Sequence, residues 1–236
     1  SKEILNKFKN LSWNDAIKKL HDPENIGNYK KNFYQRLAYD EIFSTFLVNS
    51  EIRKKIKKIK KKNKIFNKKN QNHIINKLDF SLTKDQKKTL DEINRDLCSS
   101  KKMFRLLQGD VGSGKTIVSL LAACNTIMSG FQVAVMAPTE ILARQHYNLA
   151  KKIFPKNLKI QLISGKSDYK TKKDILNKLT TNEINIIFGT HAIFQKKVIY
   201  KNLGLIIIDE QHKFGVNQRK RLSDKGGNNC DVLLMT

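Results

Sequence analysis

Gly109-Asp110-Val111-Gly112-Ser113-Gly114-Lys115-Thr116 decides how this chain folds. The stretch satisfies G-x-x-x-x-G-K-[ST] at every fixed position. The apolar run Phe104–Leu107 leads into it, and a helix is expected from Lys115 onward. The chemistry of holding an anion demands these residue types. Gly109, Gly112 and Gly114, with Ser113 between them, let the backbone bend around a phosphate with N–H groups turned inward. A helix start at Lys115 adds its dipole and unpaired N–H groups. Lys115 would reach the β- and γ-phosphates of a nucleotide, and Thr116 would place its hydroxyl on Mg²⁺. A bare glycine turn is the bland alternative, and the strand before it and helix after it argue against that.

Outward from this loop, short apolar runs alternate with helix-like stretches. The runs are Phe104–Leu107, Phe131–Met136, Ile160–Ile163, Ile184–Phe188, Leu203–Ile208 and Val232–Met235. Helices are expected from Lys115, from Thr139 and over Lys170–Leu179. A run such as Leu205-Ile206-Ile207-Ile208 is apolar on both faces, as a parallel strand covered by helices requires. The pattern predicts an α/β domain with a mainly parallel sheet. Asp209-Glu210 ends one such strand. Asp209 is placed to hold Mg²⁺, directly or through water, and Glu210 to take a proton from attacking water. Thr83-x-x-Gln86 reads as a capping box. The Gln86 amide also offers the donor and acceptor that an adenine edge wants, and Phe80 could pack on the base.

Ahead of Phe80 the texture differs, which predicts two segments, 1–79 and 80–236. Residues 1–80 carry 20 basic and 8 acidic residues, against 26 and 13 in 81–236. Phe33 to Lys62 reads as one long helix, with Val48, Ile52, Ile56 and Ile59 on one face and the remaining lysines of Arg53–Lys62 outward. Lys60 to His73 reads as a connector surface or a loose linker.

The whole chain has 46 Lys+Arg, 21 Asp+Glu and a net charge of +25, which suggests a polyanionic partner, nucleic acid first. The excess rests on 39 Lys against 7 Arg, beside 23 Asn and 26 Ile. All three common types use A/T-rich codons, so genome bias is an equal explanation. No run approaches the ~18 apolar residues of a membrane span. Three cysteines without CxxC spacing exclude a disulfide framework and fit a reducing cytoplasm.

Five phrases in order resemble the motifs of superfamily-two helicases: Phe80-Ser-Leu-Thr83-x-x-Gln86, the phosphate loop, Ala137–His146, Gly189-Thr190-His191-Ala192, and Asp209-Glu210-Gln211-His212. The last is of DExH type. The wording of Leu106–Thr116, Ala137–His146 and Asp209–Arg219 is similar to the RecG family of bacterial helicases. Ala16–Pro23 and Arg36–Glu41 look like the stretch joining that family's wedge domain to its first motor domain.

The resemblance implies a RecA-like motor domain over 80–236 behind a helical connector over 1–79. It implies ATP and Mg²⁺ as cofactors, with Lys115, Asp209 and Glu210 catalytic, and Thr116 and Asp209 on the metal. Phe80, Gln86, Gly109, Gly112, Ser113, Gly114, Lys115, Thr116 and His212 would attend the nucleotide. His212 would couple that site to the next strand. Thr139, Arg144 and Thr190 would lie along a DNA strand, though a plain helix cap would also suit Thr139, and a surface position Arg144. The implied activity is fork reversal and branch migration of DNA junctions in repair and recombination, in the bacterial cytoplasm at the nucleoid, with no membrane partner.

The sequence stops at Leu233-Leu234-Met235-Thr236, where the family's next motif begins. It is therefore expected to be a piece that needs the family's second motor domain, with its arginine finger, and its wedge domain. Alternatives are a transcription-repair coupling factor motor and a non-catalytic nucleotide-gated DNA-binding module. A small-molecule P-loop kinase is disfavoured by the Thr139 and Thr190 motifs.

Overall fold

A computed structural model describes residues 6, 11–22, 30–66, 68–165, 168–210 and 225–236. They divide into two compact units, 1–55 and 56–236. In the first, α1 (Trp13–His21) is capped by Ser12, whose hydroxyl accepts the N–H of Asp15 at 3.1 Å. The long helix α2 (Lys30–Lys58) follows. Arg36 on α2 donates from Nε to the carbonyl of Leu11 at 3.1 Å and pairs with Asp40 one turn on.

The second unit holds α3 (Lys68–Ile75), α4 (Lys84–Cys98), β1 (Phe104–Leu107), α5 (Lys115–Met128), β2 (Gln132–Met136), α6 (Glu140–Ile153), β3 (Ile160–Ile163), α7 (Tyr169–Thr181), β4 (Ile186–Gly189), a 3₁₀ turn (His191–Phe194), β5 (Leu203–Ile208) and β6 (Asp231–Met235). The six strands form one sheet, in the order β1-β6-β5-β2-β4-β3, and every pairing is parallel. This is the α/β, RecA-like architecture expected of the motor segment.

Alternation along the strands explains why they are apolar throughout. Val133, Val135, Leu205, Ile207, Leu233 and Met235 join one core cluster, with α4 and α5. Ala134, Met136, Ile206, Ile208, Val232 and Leu234 join the other, with α7 and the 3₁₀ turn. Each such buried Val, Leu, Ile or Met side chain contributes about 1.5–3 kcal/mol. Helix α5 is buried along almost its whole length, because it crosses the centre of one face.

Three readings of the front segment are corrected. The helix ends at Lys58, not Lys62, because Ile59–Lys61 turns into an extended strap against Ser100–Lys102. Lys60 bridges Lys101 antiparallel, the N–H of Lys61 donates to Ser100 at 2.9 Å, and Lys102 donates to Ile59 at 3.1 Å. Of the four residues expected on one helix face, Ile59 has left the helix; Val48 is exposed, and the side chains of Ile52 and Ile56 lie outside the described residues.

Lys61 does not face outward. Its ammonium and that of Lys64 both lie 2.6 Å from Asp231 Oδ2, with all three side chains at most 1% exposed. Lys61 also donates to the carbonyls of Asp96 and Leu97, and Asp231 Oδ1 accepts the N–H of Met103 at 2.6 Å. An ammonium has three donors, so one buried lysine can satisfy several carbonyls at a helix end. Lys61 and Lys64, in the stretch read as a connector surface or a loose linker, are thus bonded into the compact unit that begins at Ile56 and holds the sheet.

Candidate active site

The parallel sheet brings the motifs to one edge, outside the carboxyl ends of the strands, where open α/β sheets place their ligands. The phosphate loop leaves β1, Asp209 leaves β5, and β6 lies between them. Gly109 donates to Thr236 at 3.3 Å, Thr236 donates to Leu107 at 3.2 Å, and Asp209 donates to Met136 at 2.9 Å. With Ile208 of β5 paired to Leu234 of β6, the ends of β1, β6, β5 and β2 are stitched into one rim.

Within the loop, Gly112 and Gly114 have φ of 81° and 82°. A side chain is strained there. At Gly114, an added Cβ would also lie 2.4 Å from Gln86 Nε2. Gly114 is the N-cap of α5, so the helix begins as the loop closes. The Lys115 ammonium lies across the loop, 2.5 Å from the Gly109 carbonyl and 2.8 Å from that of Asp110. Thr116, in the first turn of α5, is half-buried. Beside them is a cleft of about 380 Å³, lined by Thr83, Gln86, Thr89, Leu107, Gly109 and Lys115 among others. That volume lies within the range of small-molecule sites, about 300–1,000 Å³.

The capping box is complete: Gln86 N–H donates to Thr83 Oγ1 at 3.2 Å, and Thr83 N–H donates to Gln86 Oε1 at 2.9 Å. Gln86 Nε2 then donates to the Ser113 carbonyl at 2.9 Å. One side chain therefore caps α4 and braces the phosphate loop, a link between neighbouring motifs that residue types alone did not reveal. Phe80 is 52% exposed.

Asp209 Oδ1 accepts the N–H of Glu210 at 3.0 Å. Glu210 has a φ of 52°, a left-handed conformation that costs a non-glycine residue about 1–2 kcal/mol. Asp209 Oδ2 lies 2.8 Å from His146 Nε2 on α6. His146 belongs to the phrase Ala137–His146, but no role was expected of it. The available signal was a polar residue on the apolar row Ala143, His146, Ala150, Ile153, which is the buried face of α6.

Thr139 caps α6, its hydroxyl accepting the N–H of Leu142 at 3.3 Å. Thr190 precedes the 3₁₀ turn at the end of β4, and Ala137 donates to Gly189 across the neighbouring strand ends. The two threonines therefore leave adjacent strands on the same rim. Arg144 is exposed one turn into α6, 3.5 Å from Glu140. His212 lies outside the described residues, as does the rest of the phrase after Glu210. No helix among the described residues is long and apolar enough to cross a membrane.

A glycine loop at the start of a helix and a carboxylate pair two strands away define a P-loop nucleotide-binding domain of the RecA-like type. The DEAD/DEAH box helicase model matches residues 83–235, and the chain belongs to that family. It is similar to the ATP-dependent DNA helicase RecG of Streptococcus pneumoniae, at 41% identity over 99% of this chain and 34% of the relative. To RecG of Borreliella burgdorferi it is 44% identical, again over 99% of this chain and 34% of the relative. A solved structure of RecG bound to a three-way DNA junction matches the whole chain and 31% of its own length, with 39% identity and a TM-score of 0.77. The chain thus spans about a third of the length of these relatives.

Proposed function

We propose that this chain is the connector and ATP-binding first motor domain of an ATP-dependent DNA helicase or translocase of RecG type. In this reading the full-length protein reverses forks and migrates junctions during repair and recombination, in the bacterial cytoplasm at the nucleoid. The observation that carries it is the rim itself, with a phosphate loop and Asp209-Glu210 separated by a single strand.

The chemistry follows from the side chains. Loop N–H groups and Lys115 hold the phosphates and neutralise their charge. Thr116 and Asp209 supply hard oxygen ligands, which fit Mg²⁺. When bound, Mg²⁺ neutralises charge on the β- and γ-phosphate oxygens. Glu210 accepts a proton as water attacks the γ-phosphorus and ADP leaves. Gln86 and Phe80 border the adenine. The two bonds described for the Gln86 carboxamide use one donor and one lone pair, so it keeps capacity for a base edge. His212, by its place after Asp209-Glu210, couples this site to β6.

Thr139, Arg144 and Thr190 line the strand path. The second motor domain of the longer protein supplies the arginine that a phosphoryl-transfer site needs opposite the γ-phosphate, and its wedge domain supplies the grip on branched DNA. The test uses the full-length protein and measures ATP turnover with and without three-way junction DNA. Junction DNA should stimulate turnover. Glu210→Gln should lower kcat by about 10²–10⁴ while ATP affinity holds, since only the base is removed. Turnover indifferent to DNA would overturn the helicase reading.

A further inference from the structure

Helix α6 has two faces with different neighbours. Glu140, Ile141, Arg144, Gln145 and Asn148 line an open groove of about 540 Å³ on one side. Ala143, His146, Ala150 and Ile153 are buried on the other. His146 is the polar member of the buried row, and it meets Asp209. The meeting follows from the topology. β2 and β5 are adjacent, with Met136 paired to Ile208, and only three residues separate the end of β2 from the start of α6. Its second turn therefore passes over the end of β5.

We propose that His146 is a positioning residue, which aims the Asp209 carboxylate at the metal-bound nucleotide and ties that aim to the helix carrying Thr139 and Arg144. This inference rests on Asp209 being the metal carboxylate.

A carboxylate held at one oxygen can still swing about its last torsion. Here each oxygen has its own partner, Glu210 N–H on Oδ1 and the His146 ring on Oδ2, so the plane is fixed. An ionised carboxylate only accepts, so the ring presents Nε2–H to it. The remaining lone pairs are left for the metal or its water. If the site needed only volume, an aliphatic side chain would fill the row as Ala150 and Ile153 do. Partners of this kind, hydrogen-bonded behind a metal-binding group, are typically worth about 10–100-fold in metal affinity or activity. His146 also lies two residues beyond Arg144. A strand that shifts α6 through Thr139 and Arg144 therefore shifts the bond to Asp209 as well. DNA held at Thr139 and Arg144 and the metal requirement of the nucleotide site are coupled through this one side chain.

The test uses the full-length protein and a fluorescent ADP analogue, titrated with MgCl₂ with and without three-way junction DNA. Wild type should bind the nucleotide at a Mg²⁺ concentration that changes when the junction is added. His146→Leu should need about tenfold more Mg²⁺ or beyond, and the junction should no longer move that value. His146→Gln keeps an N–H donor and should recover most of both properties. If His146→Leu fails to fold, His146→Asn, whose shorter amide falls short of Asp209, takes its place with the same expectation. Wild-type Mg²⁺ dependence in the Leu or Asn variant, a persisting junction effect in it, or equal damage from Gln would each overturn the inference. Asp209→Asn run alongside separates the two levels. If it too leaves the Mg²⁺ dependence unchanged, the assignment of Asp209 has failed, rather than the role of His146.

Discussion

Replacing Asp231 by Asn should be among the most damaging single changes in the motor unit, although Asp231 lies at the opposite end of β6 from the phosphate loop. Its carboxylate is fully buried, and one oxygen takes the ammonium groups of both Lys61 and Lys64 at 2.6 Å. Burial lowers the Lys61 pKa below the usual lysine range, against the pull of Asp231, which raises it. Removing the negative charge leaves two like charges facing a neutral amide in a dry site. Breaking a buried pair typically costs about 3–5 kcal/mol, against a total stability of about 5–15 kcal/mol for a domain. At a urea slope of about 2 kcal/mol per M, the midpoint should fall by about 2 M.

The loss should also depend on pH. A lysine whose folded pKa is depressed binds fewer protons folded than unfolded. Stability from that group therefore rises with pH between the folded value and the unfolded value of about 10.4. The variant should recover part of its deficit between pH 7 and pH 9.5. Urea unfolding followed by far-ultraviolet circular dichroism at both pH values is the assay. A triple variant, Lys61→Met, Lys64→Met and Asp231→Leu, should unfold near the wild-type midpoint, since apolar replacement of a whole buried cluster is often neutral. A deficit under about 1 kcal/mol at pH 7 for Asp231→Asn would refute the reasoning.

Gly114→Ala should weaken ATP binding at least tenfold, because φ is 82° and the new methyl would meet Gln86 Nε2 at 2.4 Å; calorimetric titration checks it. Thiol labelling at pH 8 should modify Cys98 alone in the folded chain. Burial pushes Cys124 and Cys230 up to about 12, so almost no thiolate is present, whereas Cys98 is half-buried. Urea should expose all three to the reagent.

What was legible in the sequence was what is encoded locally. Both faces of Leu205–Ile208 are covered, so the strand shows as an unbroken apolar run. Gly112 and Gly114 need positive φ, so the loop shows as a glycine pattern. Thr83 and Gln86 cap one another over three residues, so their spacing reveals them.

What was not legible depends on partners far away in the chain. Lys61 and Lys64 sit in a lysine-rich stretch that reads as one solvated surface, and Asp231, 170 and 167 residues away, is what buries them. His146 meets Asp209 over 63 residues, and the only local sign is its place among alanines on the buried face of α6. The second bond of Gln86, to Ser113, spans 27 residues and could not be read from the capping box.

The most direct measurement of the central claim is a calorimetric titration of ATP with MgCl₂ into the 236-residue chain and into its Lys115→Ala variant. The Lys115 ammonium already lies against the Gly109 and Asp110 carbonyls of the loop, with no carboxylate competing for it in those bonds. Removing it takes away the cation that the loop offers to the β- and γ-phosphates, while the glycine turn and the buried helix α5 stay in place. Binding by the wild-type chain, and its loss in Lys115→Ala with an unchanged melting temperature, is the result the account predicts. Equal affinity in the two proteins would contradict it.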